Sequence, residues 1–220
     1  DHRDLHLSLR RQRQMCIRDR IIEENIKTEP LAKVAEILKK SENLKLTDWN
    51  AMNVATVSAN NFPSSRMVLL KKINDDGLVF YTNFNSKKGK DLGSNKYIAV
   101  NFWWRELQEQ IRIEGEVEKL SEEKSDEYFN SRPLKSRVAA IVSQQSEKID
   151  SYEILQKEID DLTEQFELNK ENPTRPEHCG LYLVKPNSIE LWKEGDFRTH
   201  QRQKYVKKDD NTWESSFLSP

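Results

Sequence analysis

Cysteine is scarce in this chain of 220 residues, with only Cys16 and Cys179 present. The two are far apart and lack a metal-ligand spacing. That argues against a disulfide framework or a zinc site and sets a reducing, cytoplasmic location as the expectation. Net charge is also nearly absent, at −1. It gives no general reason to expect nucleic acid or an anionic membrane as partner, so any anion site must come from local clustering. No apolar run approaches the roughly 20 residues that a membrane helix needs. Walker A, G-x-G-x-x-G, H-E-x-x-H and G-x-S-x-G strings are all missing, as is a Cys/His metal cluster. A dispersed Ser/His/Asp triad is not excluded by sequence alone.

The charge that is present is unevenly distributed. Residues 1–20 hold six arginines and no lysine, whereas the other 200 hold eight arginines and 22 lysines. No helical or alternating pattern is sustained there, and Asp1, Asp4 and Asp19 speak against a transit peptide. We read this segment as non-native or disordered. Residues 21–220 read as a single domain with an N-terminal helix and a helical insertion at about 121–169.

Thr28-Glu29-Pro30 opens the first helix, with Leu31, Val34, Ala35 and Leu38 on one face. Strands follow at Asn53–Ser58, Ser64–Lys72, Leu78–Asn83, Tyr97–Trp104 and Gln108–Leu120, joined mostly by short turns such as Asn74-Asp75-Asp76-Gly77. Ser86 caps a short helix beginning Lys87-Lys88. Three helical stretches come next: Ser121 to about Asn130, Pro133 to Val142 and Ile149 to Leu168. Strands return at Gly180–Val184, Ser188–Lys193, Gln203–Lys207 and Trp213–Leu218. The expected fold is mainly β with flanking helices (α+β), built on an antiparallel barrel or meander.

Three clusters could carry chemistry. Arg66, the Ser86 helix start and its lysines make a phosphate cradle, although a solvated helix face has the same composition. Tyr128, Arg132 and Ser136 lie where two helices meet at Pro133. There a guanidinium, two hydroxyls and the free N–H groups of a first turn suit a phosphate monoester, or simply form a surface junction. Arg198, His200 and Arg202 alternate, and if extended would point to one side, with Trp192 a candidate wall for an aromatic cofactor. The alternative is a charged edge strand. Gln110, Gln145 and Ser146 add weak polar signals.

The strings NAMNVATVS, SSRMVLLK, YTN-x-x-SKKGK, QIRIEGEVEKL, YFNSRP-x-x-S, SQQS, ELW and R-x-H-x-R occur in this order. Together they resemble the pyridoxamine 5′-phosphate oxidase family from about Asn50 to the C-terminus. The resemblance implies an FMN-binding split β-barrel that acts as a homodimer, with FMN at the subunit interface. It assigns FMN contacts to Arg66, Met67, Val68, Leu69, Leu70, Lys71, Tyr81, Thr82, Lys87, Lys88, Gln110, Gln145, Ser146, Trp192 and Arg202. It assigns substrate contacts to Lys71, Tyr128, Arg132, Ser136, Arg198 and His200, with Arg198 and His200 catalytic and no metal. The odd separation of Arg66 and Lys71 places them on opposite faces of a regular strand, unless a bulge intervenes.

The implied reaction oxidises pyridoxamine or pyridoxine 5′-phosphate with dioxygen, giving pyridoxal 5′-phosphate and hydrogen peroxide. A split-barrel flavin reductase and a non-catalytic FMN or pyridoxal phosphate binder are the alternatives. Several positions depart from the family's usual residues. Glu109 and Lys87 stand where arginine is frequent, and Ala139 replaces a usual glycine. Glu177-His178-Cys179, Thr199, Gln201 and Ser216 differ as well.

Overall fold

The computed structural model describes residues 21–220; the segment expected to be non-native or disordered, residues 1–20, lies outside them. After an isolated bridge at Ile22, helix α1 (Glu29–Asn43) begins with Pro30 in its first turn and Thr28 as N-cap. Leu31, Val34, Ala35 and Leu38 are buried along its length, as the 3.6-residue period requires. The strands are β1 (Ala51–Val57), β2 (Pro63–Asn74), β3 (Gly77–Asn83), β4 (Tyr97–Trp104), β5 (Glu109–Lys119), β6 (Cys179–Lys193), β7 (Gln201–Lys207) and β8 (Trp213–Phe217). Between them lie α2 (Lys87–Ser94), α3 (Glu122–Ser131), α4 (Leu134–Val142) and α5 (Tyr152–Asn169).

The strands are hydrogen-bonded in the order β3-β2-β1-β4-β5-β6-β7-β8, and β6 pairs with β3 as well, which closes β1 to β6 into a barrel. Alternation supplies the core: Met52, Val54, Phe102, Ile111, Ile113 and Ile189 are buried, while their strand neighbours face outward. Gly77, at φ +142°, allows the close approach of β6, since a Cβ there would lie 1.9 Å from the Val184 carbonyl oxygen.

Two expectations need correction. The separate strands expected at Gly180–Val184 and Ser188–Lys193 are one 15-residue strand. Pro186 is accommodated where the β5–β6 register shifts between Glu114 and Gly115. On β2, a register shift between Leu70 and Lys72 makes Lys71 a bulge residue. Buried positions then change parity, from Leu70 to Ile73, so Lys71 shares the phase of Arg66 instead of opposing it.

The described residues divide into two compact units. One, the helical unit, comprises Tyr81–Gly89 and Leu120–Leu181; the other, the barrel unit, comprises Ile21–Phe80, Lys90–Lys119 and Tyr182–Pro220. In the helical unit, Ser121 caps α3 by accepting from the Lys124 amide, and Lys135 on α4 pairs with Asp160 on α5. No helix among the described residues is long and apolar enough to cross a membrane.

In the barrel unit, the β2–β3 turn also anchors the chain entering α1. Asp75 Oδ1 accepts the amides of Thr28 at 2.7 Å and Lys27 at 2.8 Å. These bonds, that to Thr28 foremost, hold the Asp75 carboxyl below its usual range. A depressed folded pKa gives stability that is present above the unfolded value and lost as pH falls through the folded one. Thermal melts of Asp75→Asn should therefore show a lower Tm at neutral pH, with the gap to the parent protein narrowing below about pH 4. A gap that stays constant with pH would exclude this contribution.

Candidate functional site

On the barrel unit, register builds a line of side chains across four strands. Trp103 of β4 lies opposite Gln110 of β5, Gln110 opposite Trp192 of β6, and Trp192 opposite Arg202 of β7. Because directly paired residues share a face, the row points outward from the core. A cavity of about 470 Å³ is lined by Asn101, Trp103, Gln110 and Trp192. The rings of Trp103 and Trp192 meet edge to face at 5.8 Å, and Trp192 lies 4.6 Å from the His200 ring. Aromatic walls with an amide between them suit a planar, polar-edged ring system.

Sequence reasoning found Gln110, Trp192, His200 and Arg202 but missed Asn101 and Trp103. The signal for both was the outward phase of YIAVNFWW, in which Asn101 and a 48 % exposed Trp103 fall on the side away from the buried Phe102 and Trp104.

The Arg198-to-Arg202 segment is not extended, which corrects the expectation that its three cations share one side. Asp196–Arg198 forms a 3₁₀ turn, and Phe197 and Arg198 have φ values of +52° and +67°. The regular strand starts only at Gln201. The Gly195 amide donates to His200 Nδ1 at 3.4 Å, which places the proton of a neutral ring on Nε2. Arg202 Nε donates to Glu190 Oε1 at 2.8 Å, and this bond holds the guanidinium above its usual pKa.

Arg66, also in the barrel unit, turns toward a buried network. Its Nη1 donates to Thr56 Oγ1 at 2.8 Å and to the Val54 carbonyl at 3.3 Å, and its Nη2 to Ser64 Oγ at 2.6 Å. Thr56 and Ser64 in turn donate to Asp91 Oδ2 at 2.7 and 3.2 Å. Burial pushes the Arg66 pKa down, and Asp91 opposes that shift. Of the neighbours on β2, Met67 and Leu69 are exposed, Val68 is half-buried and Leu70 is buried.

The helical unit gathers a second set. Lys88 is buried, and its Nζ donates to Gln145 Oε1 at 2.7 Å, Thr82 Oγ1 at 2.9 Å and Ser86 Oγ at 3.2 Å. Ser86 accepts the Gly89 amide, as expected of the cap, and Ser146 Oγ accepts that of Lys87. The Tyr81 and Tyr128 rings lie 4.9 Å apart, with the Arg132 guanidinium 5.1 Å from the Tyr81 ring centre. Tyr128 stands near the end of α3, Arg132 is its C-cap, and Ser136 sits in the first turn of α4.

The amides of Ser136 and Arg137 both donate to the Pro133 carbonyl. They are therefore not the free donors expected of that turn. Three other donors do stand open: Tyr81 Oη, Arg132 Nη1 and Arg137 Nε are buried and have no hydrogen-bond partner among the described residues. Burial raises the Tyr81 pKa, which keeps its hydroxyl a proton donor. Buried donors beside a guanidinium fit an anionic oxygen, as a phosphate group would supply.

The family profile described as pyridoxamine 5′-phosphate oxidase matches residues 38–166. That described as the pyridoxine 5′-phosphate oxidase C-terminal dimerisation region matches residues 180–220. A pyridoxine/pyridoxamine 5′-phosphate oxidase of Trichormus variabilis is 43 % identical over 198 residues, covering 90 % of this chain and 92 % of its own. Among solved structures, PhzG from Burkholderia lata 383, in complex with tetrahydrophenazine-1-carboxylic acid, is 26 % identical with a TM-score of 0.81, covering 87 % and 92 % of the two chains. A pyridoxamine 5′-phosphate oxidase-related, FMN binding protein from Nostoc punctiforme shares the fold at 16 % identity, with a TM-score of 0.69 and coverage of 86 % and 96 %. With both profiles matched in order and the curated relative aligned over nearly its whole length, the chain belongs to the pyridoxamine 5′-phosphate oxidase family.

Proposed function

We propose that the protein is an FMN-dependent oxidase of vitamin B6 phosphates, working as a cytoplasmic homodimer with FMN at the subunit interface. Pyridoxine 5′-phosphate and dioxygen would give pyridoxal 5′-phosphate and hydrogen peroxide. Pyridoxamine 5′-phosphate, dioxygen and water would give the same products plus ammonia. The observation that carries this reading is the aromatic-walled row Trp103–Gln110–Trp192–Arg202 on a chain of this family. The exposed Met67, Leu69, Tyr97 and Trp103 of the barrel unit support association with a second copy.

The residues present fit FMN. Gln110 offers an amide to ring carbonyls and ring nitrogens, Trp192 an aromatic wall, and Arg202 a cation. The family likeness also assigns FMN contacts to Arg66 and to Met67 to Lys71 on β2. It assigns them as well to Tyr81, Thr82, Lys87, Lys88, Gln145 and Ser146. When bound, FMN supplies a two-electron acceptor that dioxygen regenerates.

The chain's own part is positioning. Tyr128, Arg132 and Ser136 would hold the substrate phosphate, with Lys71 assigned by the likeness to the same substrate. Arg198 would orient the pyridine ring and stabilise charge as the C4′–H bond breaks. His200, with Nδ1 engaged by Gly195, would present its Nε2 proton as a donor to the substrate.

Purified protein with added FMN should form pyridoxal 5′-phosphate from pyridoxamine 5′-phosphate in air, with peroxide, and stop after one turnover without oxygen. Yellow, FMN-loaded protein that makes no product would overturn the oxidase reading in favour of a binder or a reductase. Arg198→Ala should lower kcat/KM by at least about 100-fold with FMN affinity unchanged; unaffected turnover would remove Arg198 from the site. Arg132→Ala should raise KM for pyridoxamine 5′-phosphate at least about thirtyfold, and affect unphosphorylated pyridoxamine far less. Equal effects on both substrates would show that Arg132 does not hold the phosphate.

A further inference from the structure

Glu190 is a carboxylate on the outer face of β6 with its side chain only 8 % exposed, and no step of the proposed chemistry uses it. Two arginines cover it from the strands on either side. Arg112 of β5, directly opposite in register, donates through Nη1 to Oε2 at 3.1 Å. Arg202 of β7, opposite Trp192 and so one row away on the same face, donates through Nε to Oε1 at 2.8 Å. Each oxygen of the carboxylate therefore has its own guanidinium.

Arg202 is held from a second side as well. Its Nη1 donates to the Ser219 carbonyl at 3.0 Å, and its own carbonyl accepts the Leu218 amide at 2.9 Å. Of the five N–H groups of a guanidinium, these bonds leave those on Nη2 and one on Nη1 unused. A long side chain fixed at Nε loses little further rotamer freedom when it takes a ligand, and loss of that restraint lowers affinity.

We propose that Glu190 is a positioning residue that locks the Arg202 guanidinium, presenting its Nη edge to an oxygen of FMN. This rests on the reading that Arg202 contacts the flavin. The competing role is structural, in which Glu190 only ties β5 to β7.

The test is a double-mutant cycle on the FMN dissociation constant, read by flavin fluorescence with apoprotein of the full chain, with thermal melts alongside. Glu190→Ala should weaken FMN binding by at least about tenfold, and Glu190→Gln, which keeps one acceptor for Arg202, by less. In the Arg202→Ala background, Glu190→Ala should have no further effect on affinity, because its influence passes through the missing guanidinium. Should Glu190→Ala fail to fold, Glu190→Gln carries the same cycle. Unchanged FMN affinity in the Glu190 variants, or effects that simply add to that of Arg202→Ala, would overturn the proposal even if Tm falls. If Arg202→Ala alone leaves FMN affinity unchanged, the flavin role of Arg202 fails, and the proposal fails with it.

Discussion

Strand β6 is the constraint on which the rest of the structure depends. It pairs with β5 from Tyr182 to Lys193, with β3 to close the barrel, and with β7 through Ser188–Lys193 to continue the sheet. A buried backbone must find partners for its N–H and C=O groups, and β6 satisfies those of three neighbouring strands at once. Its register also decides which side chains share a face. A slip of one residue would carry Trp192 and Glu190 inward and bring Ile189 and Leu191 outside. Burial of Ile189, and the close approach at Gly77, oppose that slip, so the packing of the interior fixes the composition of the outer row.

The sequence was most legible where period and chemistry coincide. The apolar face of α1, the Asn74–Gly77 turn and the caps at Ser86 and Ser121 stand where composition places them. In the turn and the two caps, the determining hydrogen bond spans four residues. It was least legible where a distant strand decides. The Lys71 bulge arises from how β2 matches β3, and the continuity of β6 through Pro186 from a register shift on β5. The non-extended turn at Phe197 and Arg198 needs two residues at positive φ that are not glycine, a conformation composition does not announce. Trp103 was missed because its partners, Gln110 and Trp192, are brought to it only by pairing.

Two departures from the family's usual residues have local physical explanations. Glu109, where arginine is frequent, is buried, and its Oε1 lies 2.9 Å from Lys40 Nζ and 3.8 Å from Lys193 Nζ. The reversed charge thus meets cations on α1 and β6. Lys87 loses the fork of an arginine, but its backbone amide still donates to Ser146 Oγ, a contact that does not depend on side-chain identity.

The buried polar atoms give the two units different characters. In the barrel unit two arginines of the candidate site are answered by carboxylates, Arg66 through the Asp91 network and Arg202 by Glu190. Such groups are oriented before any ligand arrives, and the cost of ordering them is met in folding. In the helical unit, Arg132 Nη1 and Tyr81 Oη are buried without an acceptor. A buried unsatisfied donor costs roughly 1–3 kcal/mol, and the Arg132 charge raises that figure. An incoming anion recovers this cost, whereas a neutral ligand of the same shape would recover little. On the proposed function, the first arrangement would hold a ligand in one orientation, and the second would favour a ligand carrying an anionic group over a neutral one.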